Sequence, residues 1–170
     1  MEFSQLIRER CSVRKFADQP VPAEKLQKIL AAGQVAPTAK NLQPQRIYVL
    51  QSKEALEKIR AITRCAFNAP VVLLVCGNVK EGWVNPFNQR NSTEMDVSIV
   101  NTQMMLQAKE LGLDSTWVCW FDTEAVKTVF QLPEGIEPFC LLPLGYPAAD
   151  AVAASSHNQR KALSETVTML

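Results

Sequence analysis

The chain has 170 residues, the length of one ordinary domain, and folding at that length buries roughly 70% of the unfolded chain's surface, enough for a core without staples. Eighteen basic residues against seventeen acidic ones leave a net charge of +1, so no overall field recruits nucleic acid or an anionic membrane. Six glycines, none in G-x-G-x-x-G or G-x-x-x-x-G-K spacing, exclude a Rossmann fingerprint and a Walker loop, and a single histidine, His157, excludes a site with two His ligands in one chain. Phe3, Leu6 and Ile7 predict a first helix over 2–10, with Arg8 and Arg10 in its last turn, where the helix dipole favours cations. Pro22 opens a second helix, with Leu26, Ile29 and Leu30 as its apolar stripe. Residues 36–44 read as a loop, 46–50 as a strand, 53–62 as a helix with Leu56 and Ile59 inward, and 71–76 as an apolar strand buried on both faces. Residues 78–93 read as an irregular loop carrying two exposed aromatics, Trp83 and Phe87. A long helix over 93–111 stops at Gly112 and is apolar around most of its circumference, which predicts burial by the sheet and by a second subunit. Strands over 116–121 and 139–144 flank a short helix over 123–130, and residues 151–170 form a polar tail. The order predicts an α+β fold, one domain over 1–170, with a mixed central sheet flanked by helices.

The five cysteines are odd in number and none stands in C-x-x-C, the pattern of reduced thiols in a cytosolic protein, with Cys76 and Cys140 as small apolar fillers. The first sixteen residues are charged throughout and lack the apolar centre of a signal peptide. The longest apolar run, Val71 to Cys76, is six residues, far short of a membrane span. The expectation is a soluble, cytoplasmic protein.

Four segments carry groups that could do chemistry. Arg10-Cys11-Ser12-Val13-Arg14 sets two guanidiniums around a hydroxyl, a fork suited to a phosphate or simply a solvated basic turn at a helix end. Ala36 to Pro44 offers amides, a hydroxyl and two carboxamides, which fix a planar polar ligand or cap their own backbone. Gly112 to Asp122 contains Trp117, Trp120 and Phe121, readable as core, and Asp122, readable as the cap of the next helix. His157 to Leu163 places Arg160 and Lys161 beyond the last strand, as a second anion clamp or as a solvated tail with His157 on its surface.

In this order, the segments resemble the FMN-dependent nitroreductase family in its compact form. Arg10, Ser12, Arg14 and Phe16 match an opening Arg-x-Ser-x-Arg followed by Phe. Ala36 to Pro44 match Ala-Pro-Ser-x-x-Asn-x-Gln-Pro, with Thr38 for Ser. Leu111 to Asp122 match a Leu-Gly-Leu turn into a Trp-Val strand ending in Phe-Asp, and Leu142 to Pro147 and Arg160-Lys161 follow in register.

The resemblance spans 3–167 and implies a homodimer with a domain-crossing interface that holds FMN. Arg10, Cys11, Ser12 and Arg14 would bind the flavin, Arg10 on the phosphate and Arg14 near the pyrimidine edge. Arg160 with Lys161 would close the phosphate clamp. Pro37, Thr38, Ala39 and Asn41 would come from the other subunit. The backbone around Val118, Cys119 and Trp120, with Trp117, would lie against the ring, one amide pointing at N5.

The implied reaction passes a hydride from NAD(P)H through FMN to a small-molecule oxidant such as a nitroaromatic or quinone. The flavin carries the chemistry, and no side chain or metal is catalytic. Arg14 would stabilise the negative charge of reduced flavin at N1–C2=O. Trp83 and Phe87 are candidates for the substrate side. A different flavin reaction (dehalogenation, desaturation, flavin fragmentation) and a non-catalytic flavin-binding dimer are the alternatives. The chain departs from the family at Cys119, where a glycine is common, at Gln45, where many members have an aromatic, and at Asn158, where some place a lysine.

Overall fold

The computed structural model describes residues 2–170. Helices α1 (Phe3–Glu9) and α2 (Ala23–Gln34) precede strand β1 (Gln45–Leu50), and α3 (Lys53–Ile62) leads to β2 (Val71–Asn78). The long α4 (Thr93–Glu110) leads to β3 (Asp114–Ser115), α5 (Thr123–Val129) to β4 (Ile136–Gly145), and a short α6 (Leu163–Thr166) lies in the tail. The starts of α3 and α5 are fixed by side chains: Ser52 Oγ accepts the Ala55 N–H at 3.2 Å, and Asp122 Oδ1 accepts the N–H groups of Glu124 and Ala125, both at 3.0 Å.

The strands form one sheet in the order β1–β2–β4–β3, each neighbouring pair antiparallel. Its parallel component is a bridge between Ser12 and Ser115, where the segment after α1 runs beside β3. Alternation along β2 makes two cores. Val71, Leu73 and Val75 meet Ile29 of α2 and Val97, Val100 and Met104 of α4. Val72, Leu74 and Cys76 meet Leu56 and Ile59 of α3 and Val126 of α5. A strand covered on both faces in this way is apolar at every position rather than at alternate ones.

The strand expected over 116–121 forms only in part. Val118 and Leu141 exchange both backbone bonds, at 2.9 and 2.8 Å, in the register that β3 begins. Between them Thr116 faces Pro143, which has no N–H to give, so a single bond from Thr116 N–H to Pro143 O (3.1 Å) spans the gap. The second proline of β4, Pro138, lies at a register shift between Val75 and Cys76, where a missing donor is tolerated. Residues 78–92, expected to be irregular, fold back on themselves. Val84 bridges Asn91, and Trp83 O accepts the Ser92 N–H at 2.8 Å.

Glycines let α4 approach closely. A Cβ on Gly33 would stand 2.8 Å from Met104 Cγ, so the Met104 side chain of α4 lies directly on the backbone of α2 there. The carbonyl of Leu111, at the end of α4, accepts from Lys25 Nζ at 2.6 Å, and the same ammonium stands 5.0 Å from the Tyr146 ring centroid. The outer side of α4 leaves Met95 and Ile99 exposed, as are Phe3 and Ile7 of α1 and Val35 after α2. Among the described residues, no helix is long and apolar enough to cross a membrane.

Candidate cofactor site

After α1 the backbone becomes extended at Arg10 (φ −60°, ψ 123°), and Val13 N–H bonds Ser115 O at 3.1 Å. Extension alternates the side chains, so Val13 is buried while Arg10, Ser12 and Arg14 share the other side. Those three line a cavity of about 110 Å³ together with Ala154, Ser156 and His157 of the tail. Cys11 does not line it, because it faces the same way as Val13. Arg160 reaches back to the tail's own backbone, its Nη1 donating to the carbonyls of His157 and of Gln159, the latter at 2.7 Å. Lys161 is exposed on the adjoining tail.

Lys15, Arg46, Lys58, Lys80, Lys109 and Lys127 pair with carboxylates; among the described residues Arg10, Arg14 and Arg160 pair with none, as do Arg8, Arg60, Arg64 and Arg90, but Arg10 and Arg14 stand together at a cavity. Guanidiniums without carboxylate partners beside a small cavity are the groups that an anion would need. The tail residues Ser156 and His157 were not legible as part of it, because nothing in the tail's pattern links them to residues near the N-terminus.

The second predicted segment joins α2 to β1. Lys40, Asn41 and Gln43 all lie in the left-handed region, with φ of 51°, 56° and 51°. Non-glycine residues held there cost about 1–3 kcal/mol each and persist where the surroundings impose them. Two bonds do so: Asp96 Oδ1 accepts the Ala39 N–H at 2.8 Å, and Thr38 Oγ1 accepts the Gln43 N–H at 3.1 Å. Asp96 itself is buried in the first turn of α4, its second oxygen accepting from Ser92 Oγ at 2.7 Å. Among the described residues, Pro37, Thr38, Ala39 and Asn41 do not line the cavity that Arg10 and Arg14 line.

The third segment, after Val118, forms a tip. Phe121 N–H bonds Cys119 O at 3.2 Å, and Trp117 Nε1 donates to Cys119 Sγ at 3.3 Å. Among the described residues, the N–H groups of Cys119 and Trp120 have no acceptor. Trp120, readable as core, is instead 74% exposed, because the tip has left the sheet, while Trp117 and Phe121 are half-buried. Cys119, Trp120, Phe121 and Asp122 border a groove of about 470 Å³ with Ile62. The Ser12–Ser115 bridge puts this segment and the arginine segment side by side on one sheet edge. Trp83 is half-buried at the base of the 78–92 hairpin, its N–H donating to Ser92 Oγ at 3.1 Å, and Phe87 is 95% exposed near the hairpin's tip.

The thiols divide sharply. Cys119 is exposed and Cys76 and Cys140 are buried. Burial first, then the Glu137 carboxylate, pushes Cys76 up to about 12, and burial, then the neighbouring Cys119 and Cys76, raises Cys140 as well. Ellman's reagent is therefore expected to titrate Cys119 first and to reach Cys76 and Cys140 only after unfolding. Between about pH 9, the ordinary thiol value, and about pH 12, the folded chain holds a Cys76 proton that the unfolded chain releases. Stability should fall as pH rises through that window, and Cys76→Ala should flatten the slope in urea titrations run at successive pH values. An unchanged slope would show that Cys76 ionises freely in the folded chain.

A model described as the nitroreductase family matches residues 7–70 and 64–146. The chain is 32% identical over 160 residues to a Methanothermobacter thermautotrophicus protein provisionally named an NADH dehydrogenase/NAD(P)H nitroreductase, covering 87% of this chain and 78% of that protein. A nitroreductase family protein of Clostridium difficile 630 superposes with a TM-score of 0.93 at 40% identity, over 99% of this chain and 98% of the other. A Staphylococcus epidermidis protein provisionally described as an NAD(P)H:FMN oxidoreductase shares the fold at a TM-score of 0.86 and 22% identity, over 99% and 96% of the two chains. The matched spans take in the arginine segment, the 36–44 loop and the 117–122 tip alike, and the chain belongs to the nitroreductase family.

Proposed function

We propose that the chain, as one domain over 1–170, is an FMN-dependent oxidoreductase that works as a homodimer. Electrons would pass from NAD(P)H to a small-molecule oxidant such as a nitroaromatic or quinone. The observation that carries this reading is the donor set on one sheet edge. Two guanidiniums without carboxylate partners, those of Arg10 and Arg14, line a cavity of about 110 Å³ whose far wall is the tail that carries Arg160, beside a tip with two unused backbone N–H groups. A phosphate dianion suits the first group, and a planar ring with acceptor nitrogens suits the second, so the residues present fit FMN.

When bound, FMN supplies the hydride-accepting N5 centre that no side chain of this sequence could replace. Arg10 and Arg160 would hold the phosphate, with Lys161 adding charge from the tail. Ser12 would add a hydroxyl, and Arg14 would oppose negative charge at the pyrimidine edge. The Trp117–Trp120 backbone would support the ring, with an unused N–H available to N5.

The homodimer is supported by two features. Loop 37–41 leads into β1, on the sheet edge opposite the 117–120 tip, with three strand spacings, on the order of 14 Å, between the edge strands. A second copy can bring its own loop to the tip without crossing the sheet. The exposed Phe3, Ile7, Val35, Met95 and Ile99 give that copy an apolar face to cover. Trp83 and Phe87 border the substrate side from the 78–92 hairpin.

The test is direct. Purified protein is expected to be yellow or to take up FMN in titration, and NADH or NADPH is expected to bleach it anaerobically. A colourless protein that takes up no FMN overturns the reading.

A further inference from the structure

Thr63 belongs to none of the segments above. It ends α3 in an extended conformation (φ −145°, ψ 134°) and begins a single 3₁₀ turn, Arg64–Ala66. It is 5% exposed, and its Oγ1 accepts the Cys65 N–H at 3.1 Å. Its one hydroxyl proton is donated to the carbonyl of Trp120 at 2.6 Å, across 57 residues of sequence.

That bond has an unusual place in the fold. The chain leaves β4 after the Val118–Leu141 pair and is next fixed at Asp122, which caps α5. In between, the bonds from Phe121 N–H to Cys119 O and from Trp117 Nε1 to Cys119 Sγ are internal to the tip. Among the described residues, the Thr63 hydroxyl makes the only hydrogen bond from residues 119–121 to any residue outside 117–122. A threonine suits this role, since its branched Cβ restricts χ1 and its second lone pair is already held by Cys65.

We propose that Thr63 is a positioning residue for the cofactor. Its hydroxyl fixes the Trp120 peptide and so sets the direction of the unused N–H groups of Cys119 and Trp120. This rests on the reading that the flavin ring lies against that backbone. Thr63 touches neither ring nor substrate and acts through the tip. A peptide that swings by even 1 Å loses alignment worth up to about 100-fold in rate.

The experiment compares wild type with Thr63→Val, which keeps the shape and removes the hydroxyl, and Thr63→Ser, which keeps the hydroxyl. The first readout needs no cofactor: in the apo protein, the Phe121 amide that closes the tip should exchange with deuterium at least ~10-fold faster in T63V, with β2 amides unchanged. The second uses FMN-loaded protein. T63V should move the visible flavin band and the midpoint potential and slow reduction by NAD(P)H in a single turnover by ~10- to 100-fold. T63S should stay within ~3-fold of wild type on each rate.

FMN uptake by wild type, with Phe121 exchange, flavin band and potential unchanged in T63V, overturns the assignment alone. A T63S variant as impaired as T63V overturns it too, since the hydroxyl would not be the cause. Failure of wild type to take up FMN overturns the functional reading and the assignment together. Should T63V not fold, Thr63→Cys carries the same comparison with a weaker donor of similar volume, and wild-type behaviour in T63C overturns the assignment.

Discussion

Gly77→Ala is expected to cost about 3 kcal/mol of stability and to lower Tm by roughly 6–12 °C. Gly77 lies on β2 under the start of α4. A Cβ there would overlap Thr93 Cγ2 and stand 2.9 Å from Val97 Cγ2 and 3.2 Å from Phe139 Cε2. None of the three can yield cheaply. Thr93 and Val97 are buried, β-branched helix residues with restricted χ1, and Phe139 stands at the register shift of β4. Thr93 is also confined from the other side, since its Oγ1 occupies the space a Cβ on Gly82 would take.

Relief must therefore come from lifting the first turn of α4 off the sheet. That turn carries Asp96, whose bond to Ala39 N–H holds the strained 38–43 loop, so the same substitution should also loosen the loop. Gly112→Ala is the contrasting case. Nothing lies within 4 Å of a Cβ there, and the cost is the left-handed φ of 76° alone, about 1–2 kcal/mol. Urea midpoints for the two variants separate steric overlap from backbone strain. A Gly77→Ala protein no less stable than Gly112→Ala would mean that α4 does not seat on β2 as described.

Arg10→Ala is expected to weaken FMN binding by about 1.5–3 kcal/mol, roughly 10- to 150-fold in Kd. The side chain has no carboxylate to release, so its loss removes a charge-assisted bond without freeing a buried partner. Arg10→Lys should fall between, keeping the charge and losing the two-pronged geometry. Arg160→Ala should cost less than Arg10→Ala, because Arg160 divides its donors between the tail's own carbonyls and the anion. Flavin fluorescence quenching gives all three constants, and the clamp assignment fails if Arg10→Ala binds FMN as wild type does. The loss should shrink at high salt, as expected for an exposed ionic contact.

What could be read from the sequence was local. The unbroken apolar run of β2 announced burial on both faces, Asp122 announced a helix start, and the order of the Arg10, Ala36 and Leu111 segments carried the family. What could not be read depends on residues meeting from a distance. Thr116 to Phe121 has every mark of a strand, and only its pairing opposite Pro143 interrupts it. Trp120 has the composition of core and stands exposed because the strand ends there. Thr63 looks like an ordinary helix stop until its partner across the fold is known. The 78–92 hairpin is closed by the Val84–Asn91 bridge and the Trp83–Ser92 bond, pairings across the loop that its composition does not reveal.

The small cavity beside Arg10 is walled by Arg10, Ser12 and Arg14 and by Ala154, Ser156 and His157, two groups far apart in sequence. The wall can close only after the segments between its two halves have been made and folded, so this cavity forms late, after the sheet. The converse holds in degradation. A protease that clips the exposed tail after Tyr146 would remove half the wall while leaving every strand of the sheet in place, so the chain would keep its fold and lose its cavity.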